Sequence, residues 1–489
     1  GAYQRSLLAM LNEDPDTWNG QLVRVFAPYA SIFRSWQIGQ DGDPAVIADP
    51  RLAGAVKQVR AEIEKLTTAP HLTVPGSLSW EPSQGPPIAD EVSFALHHSV
   101  LPRYIAAHVE EYRKHGQPVS TLYLQEAPQR VGNQGHYRNW CKRLIYAHHA
   151  GVRRIMVPQP WHTRISAAAE VTEPTEEFVL LHTVSTLLGA ATPGESVYIA
   201  PGVTALSFHE GESTMLAMWD DNAGPDGRDH DIQLGSATRQ IDMWGRAVSL
   251  SRTEDGRQRV HLTAAPSFVV GVERWLIALR TQVKLVPDFI EFSIDVHRND
   301  LEIVNPLSEP LDGRVTVVAP GDWTVKPGRF SLSIPPLGKF VQPLEIHYGR
   351  DAIAGPGVVR VELDLVGPAF QPVNDRLESL SHRRLVVPLV LNLGLRELDV
   401  WGHLVMAGDR LIVRHHVTNR SQETLNMRAF ALAPGRLRQA RLLTQFRPGT
   451  TRTLEYHFKN AGALRGRAVR LQLRDVNSPR MHNIEVQVQ

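Results

Sequence analysis

A glutamate that follows a short apolar run is the residue whose position most directly suggests a chemical function. Residues 121–124 have the β-branched and apolar character of a buried parallel strand, and Glu126 comes just before the breaker Ala127-Pro128. Parallel α/β barrels place their active sites at the carboxyl ends of their strands, so a carboxylate in this position has a catalytic interpretation. The alternative is a solvated or ion-paired loop glutamate, and Glu126 alone does not decide between the two.

More polar and aromatic side chains follow the neighbouring strand-like segments. The first 190 residues alternate strand-like and helix-like patterns, which predicts a parallel sheet covered by helices. We predict five strands, at 31–39, 71–80, 92–96, around Leu122 and Leu124, and at 154–157. In order along the chain, the residues at the carboxyl ends of these strands are Trp36, Gln40, Asp41 and Asp43, then Glu81, then His97 and His98, then Glu126, and finally Trp161.

This combination of side chains is the one that a pyranose site needs. Paired carboxylates supply an acid/base and a nucleophile, polar groups bind hydroxyls, and an indole stacks on the apolar face of a sugar ring. Each residue also has a plainer interpretation. Trp36 and Trp161 could be core aromatics, Asp41 and Asp43 could cap a helix or hold a turn, and His97 and His98 could hydrogen-bond without touching a ligand.

The same residues resemble a known family. The stretch Trp36-Gln37-Ile38-Gly39-Gln40-Asp41 resembles the end of strand four in the large clan of (β/α)8 retaining glycoside hydrolases, which has an Asn-Glu pair there. The resemblance implies that Asp41 is the acid/base and Glu126 the nucleophile on strand seven. It also implies that Trp161 forms the floor of the sugar subsite and that His97 and His98 stand on strand six. The segment 197–270 is similar to the sandwich found in xylosidase- and iduronidase-like members.

The sequence departs from this family in two respects. Gln40-Asp41 replaces Asn-Glu, which shortens the acid/base and leaves open an active enzyme, an altered one, or a sugar-binding relic. Barrel strands one to three have no counterpart, so we expect an upstream segment or a separate chain to complete the barrel, because a half-barrel exposes two unpaired edges. The predicted function is glycosidic-bond cleavage by two carboxylates. The alternative is an inactive carbohydrate-binding or surface-assembly protein.

Beyond residue 190 the hydrophobic pattern changes to the period of two that is typical of strands. We predict four domains: the C-terminal part of a (β/α)8 TIM barrel at 1–190, a β-sandwich packed on it at 191–283, and immunoglobulin-like sandwiches at 284–395 and 396–489. The last two share an internal repeat. Residues 301–305, 319–321 and 344–348 are echoed by residues 417–419, 433–435 and 454–458.

Composition excludes several classes of function. The 52 Lys and Arg residues against 51 Asp and Glu give a net charge of +1, which favours neither nucleic acid nor an anionic membrane surface. No apolar run approaches the ~18 residues of a membrane span. The single cysteine, Cys141, excludes an internal disulfide, and the 21 histidines show no ligand spacing, so we predict no metal and no cofactor. Carbohydrate is the expected partner and the expected location is extracellular or periplasmic, while the oligomeric state stays open.

Overall fold

The protein forms two compact units. The computed structural model describes residues 7–11, 13–41, 46, 49–76, 88–116, 119–125, 133–165, 170–211, 213–237, 239–321, 323–366 and 382–488. Unit 1 comprises Gly1–Val197, Pro201–Thr253 and Arg257–Arg274, and unit 2 comprises Tyr198–Ala200, Glu254–Gly256 and Trp275–Gln489. None of the helices in the described part of the chain is long and apolar enough to cross a membrane.

Unit 1 begins with alternating helices and parallel strands. The helices are α1 (Leu7–Leu11), α2 (Pro15–Phe26), α3 (Leu52–Ile63), α4 (Ile105–Lys114), α5 (Asn133–His149) and α6 (Glu176–Leu188), with a short 3₁₀ turn at Pro102–Tyr104. The strands are β1 (Ser35–Gln37), β2 (His71–Gly76), β3 (Glu91–Leu96), β4 (Val119–Leu124) and β5 (Arg154–Met156). Asp14 caps α2 by accepting from the N–H of Asp16, and the apolar positions of α3, from Leu52 to Ile63, are buried at the helical period.

The five strands form one parallel sheet in sequential order, β1-β2-β3-β4-β5. The register pairs Trp36 with Leu72, Val74 with Val92, and Leu122 with Ile155. This confirms the predicted parallel sheet covered by helices; β2 is described as far as Gly76, and residues 77–80 of the predicted strand lie outside the described residues. In the described residues β1 and β5 are the outer strands of the sheet. Because all five strands run in one direction, their carboxyl ends lie at the same end of the sheet, which we call its carboxyl edge.

The rest of unit 1 is antiparallel. A hairpin of β6 (Trp161–Ile165) and β7 (Glu170–Pro174), which we did not predict, follows the parallel sheet. A six-stranded sheet has the order β13-β12-β16-β10-β9-β8, and a three-stranded sheet has the order β11-β15-β14. These strands are β8 (Thr192–Ser196), β9 (Val203–Glu210), β10 (Ser213–Asp220), β11 (Arg228–Ile232), β12 (Arg239–Asp242), β13 (Ala247–Ser249), β14 (Ser251–Arg252), β15 (Gln258–Leu262) and β16 (Ser267–Val272).

One hydrophobic core joins the two kinds of sheet in unit 1. The side chains of Phe208, Trp219 and Phe268 from the antiparallel sheet share a cluster with Leu144 and Leu180 from helices α5 and α6. The ring of Tyr146 on α5 meets Trp219 edge-on, with centroids 5.5 Å apart. The burial of apolar side chains in such a core is the main favourable contribution to folding.

Unit 2 contains two β-sandwiches. Helix α7 (Arg274–Gln282), another element we did not predict, leads into β17 (Val283–Val286). The first sandwich pairs the sheets β17-β19-β23-β21 and β18-β25-β24-β20-β22, and the second pairs β26-β27-β30 with β29-β28-β31-β32. These strands are β18 (Phe289–Glu291), β19 (His297–Val304), β20 (Leu311–Val318), β21 (Thr324–Lys326), β22 (Arg329–Ile334), β23 (Lys339–His347), β24 (Gly355–Val366), β25 (His382–Gly394), β26 (Leu398–Ala407), β27 (Arg410–Asn419), β28 (Leu425–Leu432), β29 (Gln439–Phe446), β30 (Thr451–Lys459), β31 (Ala468–Asp475) and β32 (Met481–Gln487).

The two sandwiches of unit 2 share one strand order. If β17, β19 and β23 are aligned with β26, β27 and β30, then β25-β24-β20-β22 aligns with β32-β31-β28-β29. The echoed segments fall at matching places: Asn305 directly follows β19 and Asn419 ends β27, and both side chains are buried. Gly321 and Gly435 both have positive φ, at 57° and 67°. The repeat in the sequence therefore corresponds to a repeated supersecondary arrangement.

The repeated asparagines make the same hydrogen bonds. Asn305 Nδ2 donates to the carbonyl of Glu309 at 2.7 Å, and its Oδ1 accepts from the N–H of Leu307 at 2.9 Å. Asn419 Nδ2 donates to the carbonyl of Glu423 at 2.8 Å, and its Oδ1 accepts from the N–H of Ser421 at 2.9 Å. Each asparagine thus fixes the turn that leaves its strand, since a buried amide needs partners for its donors and its acceptor.

Candidate active site

The candidate site lies at the edge of the parallel sheet where the strands end. β1 ends at Gln37, β3 at Leu96 and β4 at Leu124, and the segments that follow carry the predicted catalytic and sugar-binding side chains. The tight turn after β1 uses Gly39, whose φ of 95° is in the region that favours glycine. A Cβ at this glycine would lie 2.9 Å from Cγ1 of Val46, so the turn needs glycine for space as well.

The carboxylate of Asp41 is held in place by side chains from β1 and β3. Its Oδ1 accepts a hydrogen bond from Gln37 Nε2 at 2.9 Å and another from Ser93 Oγ at 2.7 Å. Ser93 is fully buried on β3, two strands away from β1. Both of these hydrogen bonds are made to Oδ1.

The two faces of the sheet have different roles. Phe94 on β3 meets Tyr112 of α4 edge-on, with ring centroids 4.3 Å apart, so this side chain faces the helices. Because successive side chains in a strand alternate, Ser93 faces the other way. Asp41, through its bond to Ser93, therefore lies on the face of the sheet away from α4.

Trp36 packs among aromatic side chains. Its ring centroid is 4.2 Å from that of Phe26 on α2 and 6.3 Å from that of Phe33, and its Nε1 is buried without a hydrogen-bond partner among the described residues. The alternation along β1 directs it to the opposite face from Gln37, which bonds Asp41. Its contacts are those of a packing residue, and a sugar-binding role for Trp36 stays a prediction.

The rings of the two histidines after β3 are in contact, with their planes tilted by 40°. The ring centroids of His97 and His98 are 3.9 Å apart, and His97 Nδ1 lies 2.7 Å from Ser99 Oγ. His97 is exposed and His98 is half-buried. Desolvation lowers the pKa of His98, and the nearby charges of His97 and Arg143 lower it further. A neutral imidazole at this edge can accept or donate a hydrogen bond to a ligand hydroxyl.

A buried arginine, which the sequence analysis missed, positions the histidine loop. Arg143 on α5 is 2% exposed. Its guanidinium donates to the carbonyl of His97 at 3.1 Å, to that of Val100 at 2.6 Å, and to that of His98, while Nε donates to Asn139 Oδ1 at 2.6 Å. Burial lowers its pKa to about 10, so the group stays cationic at neutral pH. The only signal in the sequence is an arginine inside a helical stripe of apolar residues.

The structure describes some of the remaining predicted site residues and not others. Trp161 is 41% exposed and opens the hairpin strand β6, five residues beyond β5. Gln40 is exposed in the turn after β1, next to Asp41. Asp43, Glu81 and Glu126 lie outside the described residues. The structure therefore brings Asp41 together with Gln37 and Ser93, and the pairing of Asp41 with Glu126 stays a prediction.

The opposite edge of the sheet carries a separate ionic network. Glu91, at the start of β3, lies within ion-pair distance of Arg154 at the start of β5 and 3.1 Å from the imidazole of His71 at the start of β2. Arg60 Nη2 is 2.7 Å from Oδ2 of Asp90. Partial burial raises the pKa of Asp90, but hydrogen bonds from the N–H of Leu72 and from Arg60 outweigh it, so the pKa lies below its ordinary value. At the amino ends of parallel strands such a network contributes to stability.

The described part of the chain contains neither a cluster of metal ligands nor a reactive thiol. No group of three or more His, Cys, Asp and Glu residues there could hold a metal ion. The thiol of Cys141 is buried, and burial raises its pKa to about 12, which leaves it protonated and unreactive at neutral pH.

Sequence comparison shows no match to any known protein family or to any curated protein. Structure comparison finds similar solved structures at low identity. A family 39 glycoside hydrolase from the gut symbiont Bacteroides cellulosilyticus WH2 matches with 13% identity and a TM-score of 0.40, over 53% of this chain and 63% of the hydrolase. A GH30 endoxylanase from Clostridium papyrosolvens C71 matches with 11% identity and a TM-score of 0.38, over 52% of this chain and 72% of the endoxylanase.

A third similar structure is that of AmyP in complex with maltose, with 9% identity and a TM-score of 0.32 over 55% of this chain and 68% of AmyP. This chain thus spans less than two thirds of the family 39 hydrolase. Similarity at this level defines neither the activity nor the substrate of this protein.

Proposed function

We propose that this protein is a glycoside hydrolase whose active site lies at the carboxyl edge of the parallel sheet. The observation that carries the proposal is the fixed carboxylate of Asp41, bonded to Gln37 and Ser93 at that edge. Strand β4, whose end precedes Glu126 by two residues, ends at the same edge. In this proposal the sheet is the C-terminal part of a (β/α)8 barrel, and the substrate is an extracellular or periplasmic carbohydrate.

Each acid has a distinct role in the proposed reaction. Glu126 attacks the anomeric carbon and forms a covalent glycosyl-enzyme, while Asp41 protonates the departing oxygen and then activates the water that hydrolyses the intermediate. Retention requires the two carboxyl groups to lie about 5–5.5 Å apart. The exposed indole of Trp161 and the polar rings of His97 and His98 would then bind the sugar.

The test is hydrolysis of a panel of aryl-glycosides by the complete barrel, that is, this chain together with the segment or chain that completes it, in wild-type form and as two variants. Glu126→Gln removes the nucleophile and abolishes turnover of every substrate. Asp41→Asn keeps the shape of the side chain but removes the proton, so turnover falls by about 10²–10⁴-fold for poor leaving groups and much less for activated ones. Glu110→Gln on the exposed face of α4 is the matched control and leaves turnover unchanged.

Three results would overturn the proposal. The first is full activity in Glu126→Gln, which would remove the nucleophile assignment. The second is an equal loss for all leaving groups in Asp41→Asn, which would show that Asp41 does not act as the acid. The third is a folded wild-type chain that hydrolyses nothing in the panel while it binds the same sugars, which would favour the second candidate function.

The second candidate is a carbohydrate-binding protein without turnover, and one feature of unit 2 favours it. Trp401 on β26 is 51% exposed, and its ring stacks on that of His416 with centroids 3.8 Å apart and planes at 13°. β26 is an edge of its sheet in the described residues, so the other face of the indole points away from the sheet. An open indole face is the surface on which sugar rings stack.

This candidate has its own measurement. Titration of oligosaccharides into the full chain, followed by tryptophan fluorescence, should show binding that Trp401→Ala removes. Leu442→Ala, at an apolar side chain that is 60% exposed on β29, is the control and retains it. Binding that survives Trp401→Ala would exclude this surface.

A further inference from the structure

A cavity lies in unit 1 beside helix α5. Its volume is about 570 Å³, which is within the ~300–1,000 Å³ range of small-molecule sites. It is lined by α5, by the segment that follows β3, and by residues at and after the end of β10. Neither Asp41 nor the two histidines of the candidate active site are among the described residues that line it.

The lining of this cavity has an excess of positive charge. Arg103, Arg138 and Lys142 are its cations, and among the described residues that line it Asp221 is the one carboxylate. Lys142 Nζ is 2.6 Å from Asp221 Oδ1, which neutralises one of the three cations. Arg138 donates to the carbonyl of Gln134, and the guanidinium of Arg103 lies 5.1 Å above the ring of Tyr104. Among the described residues neither arginine has a carboxylate partner.

The cations are held in place before any ligand arrives. The ammonium of Lys142 also lies 5.1 Å above the ring of Trp219, and its side chain is only 14% exposed. Arg138 stands four residues before Lys142 on α5, so the two side chains share one face of the helix. Burial lowers the pKa of Lys142 and the nearby charge of Arg138 lowers it further, while Asp221 raises it. Like charges four residues apart on a helix repel each other, and an anion bound between Arg138 and Lys142 would reduce this repulsion.

Two further features of the cavity suit an oxyanion. Gly135 in its lining belongs to the first turn of α5, and the amino end of a 17-residue helix attracts negative charge. The amide of Asn139 and the ring of Tyr146 complete the polar side. A guanidinium presents a planar pair of donors that matches a carboxylate or a phosphoryl group.

From this arrangement we infer that the cavity between α5 and the end of β10 binds a small organic anion through Arg103, Arg138 and Lys142. The recognised group is an oxyanion, either a carboxylate or a phosphoryl group. The inference is independent of the proposed hydrolysis, because it concerns other residues and binding alone. An anionic sugar would be a natural ligand if the hydrolase proposal also holds.

The test is calorimetric titration of the full chain at low ionic strength with three probes: glucuronate, glucose 6-phosphate and glucose. Glucuronate binding identifies a carboxylate ligand, glucose 6-phosphate binding identifies a phosphoryl ligand, and glucose is the neutral reference. Arg138→Gln should weaken the anion that binds by about tenfold or more, since a charge-assisted bidentate contact is lost. Arg24→Gln, at an exposed arginine of α2, is the matched control and leaves the affinity unchanged.

Several outcomes would overturn the inference. These are the absence of binding by both anions, equal affinity for glucose and the anions, and anion binding that neither Arg138→Gln nor Arg103→Gln weakens. The titrations are repeated with the Glu126→Gln protein, which is proposed not to turn over substrate. Anion binding there is expected to match the wild type, so failure of the hydrolase proposal and failure of this one give different results.

Discussion

The guanidinium of Arg143 donates a hydrogen bond to the backbone carbonyl of His97 across 3.1 Å, from inside helix α5 to the loop after β3. The same group bonds the carbonyls of His98 and Val100. One buried cation therefore fixes the path of the loop that presents both histidines. Arg143 is a positioning residue, since it acts through the backbone of its neighbours.

Arg143→Met should destabilise unit 1 and disturb the histidine loop. It leaves several buried carbonyls without donors, and we expect the free energy of unfolding to fall by about 3 kcal/mol. Arg143→Lys should recover only part of this, because an ammonium cannot reproduce the planar set of donors. Chemical denaturation measures the loss, and the NMR titration shifts of His97 and His98 report the loop. Unchanged stability together with unchanged histidine signals would contradict the assigned role.

Ser93→Ala tests whether the contact with Asp41 matters for catalysis. The variant removes the 2.7 Å hydrogen bond to Asp41 Oδ1 and leaves the bond from Gln37. In the proposed hydrolase we expect kcat to fall by about tenfold with little change in KM, because the bond orients the acid and does not bind substrate. Ser185→Ala, at an exposed helix position on α6, is the control. A rise in KM alone would assign Ser93 to substrate binding instead.

Asn305→Ala and Asn419→Ala test the structural repeat in unit 2. Each substitution leaves buried backbone groups unpaired at an equivalent turn, so each should lower the free energy of unfolding by about 2–3 kcal/mol. Asn477→Ala, at an exposed turn position, should change it by less than about 0.5 kcal/mol. Denaturation curves of the three variants give the comparison. A large loss for one asparagine and none for the other would show that the two turns are not equivalent in energy.

His415 makes the second sandwich of unit 2 sensitive to acid. Its side chain is fully buried on β27, and neither ring nitrogen has a hydrogen-bond partner in the described part of the chain. Burial lowers the pKa of His415 to about 3, with smaller contributions from His482 and His416, and burial lowers the pKa of His482 to about 4. In the unfolded chain both histidines titrate near 6.5. Stability is therefore complete above about pH 6.5 and falls as the pH drops from there towards about 4, by roughly 1.4 kcal/mol per unit for each histidine.

His415→Leu should remove one of these two protons from the linkage. We expect thermal unfolding of the variant between pH 7 and pH 4 to show about half the dependence of the wild type. His457→Gln, at an exposed histidine on β30, is the control and keeps the full dependence. A wild-type protein whose stability does not change across this range would refute the buried neutral state of the two histidines.

The sequence predicted the parallel sheet well because its signals are local. Apolar runs such as residues 121–124, and the helical spacing of Val56, Val59 and Ile63, need no tertiary context. The β6/β7 hairpin was missed because β7, Glu-Val-Thr-Glu-Pro, has no apolar alternation that would pair with the short β6. The alternating pattern of residues 197–208 predicts a strand there, but in the structure β9 begins only at Val203, because the turn at Gly202, whose φ is 85°, precedes it.

The sequence singles out Asp41 as a candidate but not the side chains that hold it. Asp41 was found because it follows a strand-like segment, yet its partner Ser93 is 52 residues further along the chain. Arg143 gave no usable signal, since the carbonyls that it bonds are about 45 residues away and carry no side-chain identity. The cavity beside α5 was not predictable either, because Arg103, Lys142 and Asp221 are far apart in the sequence and come together only in the fold.

The ionic network of Glu91 and its partners fastens the amino ends of β2, β3 and β5, at the far rim from the acids and histidines. Loops at one rim of this protein can therefore be exchanged while the other rim keeps the strands in register. A laboratory that wished to graft new specificity onto this scaffold would randomise the segment after β3, and would leave Asp41, His71, Glu91 and Arg154 untouched.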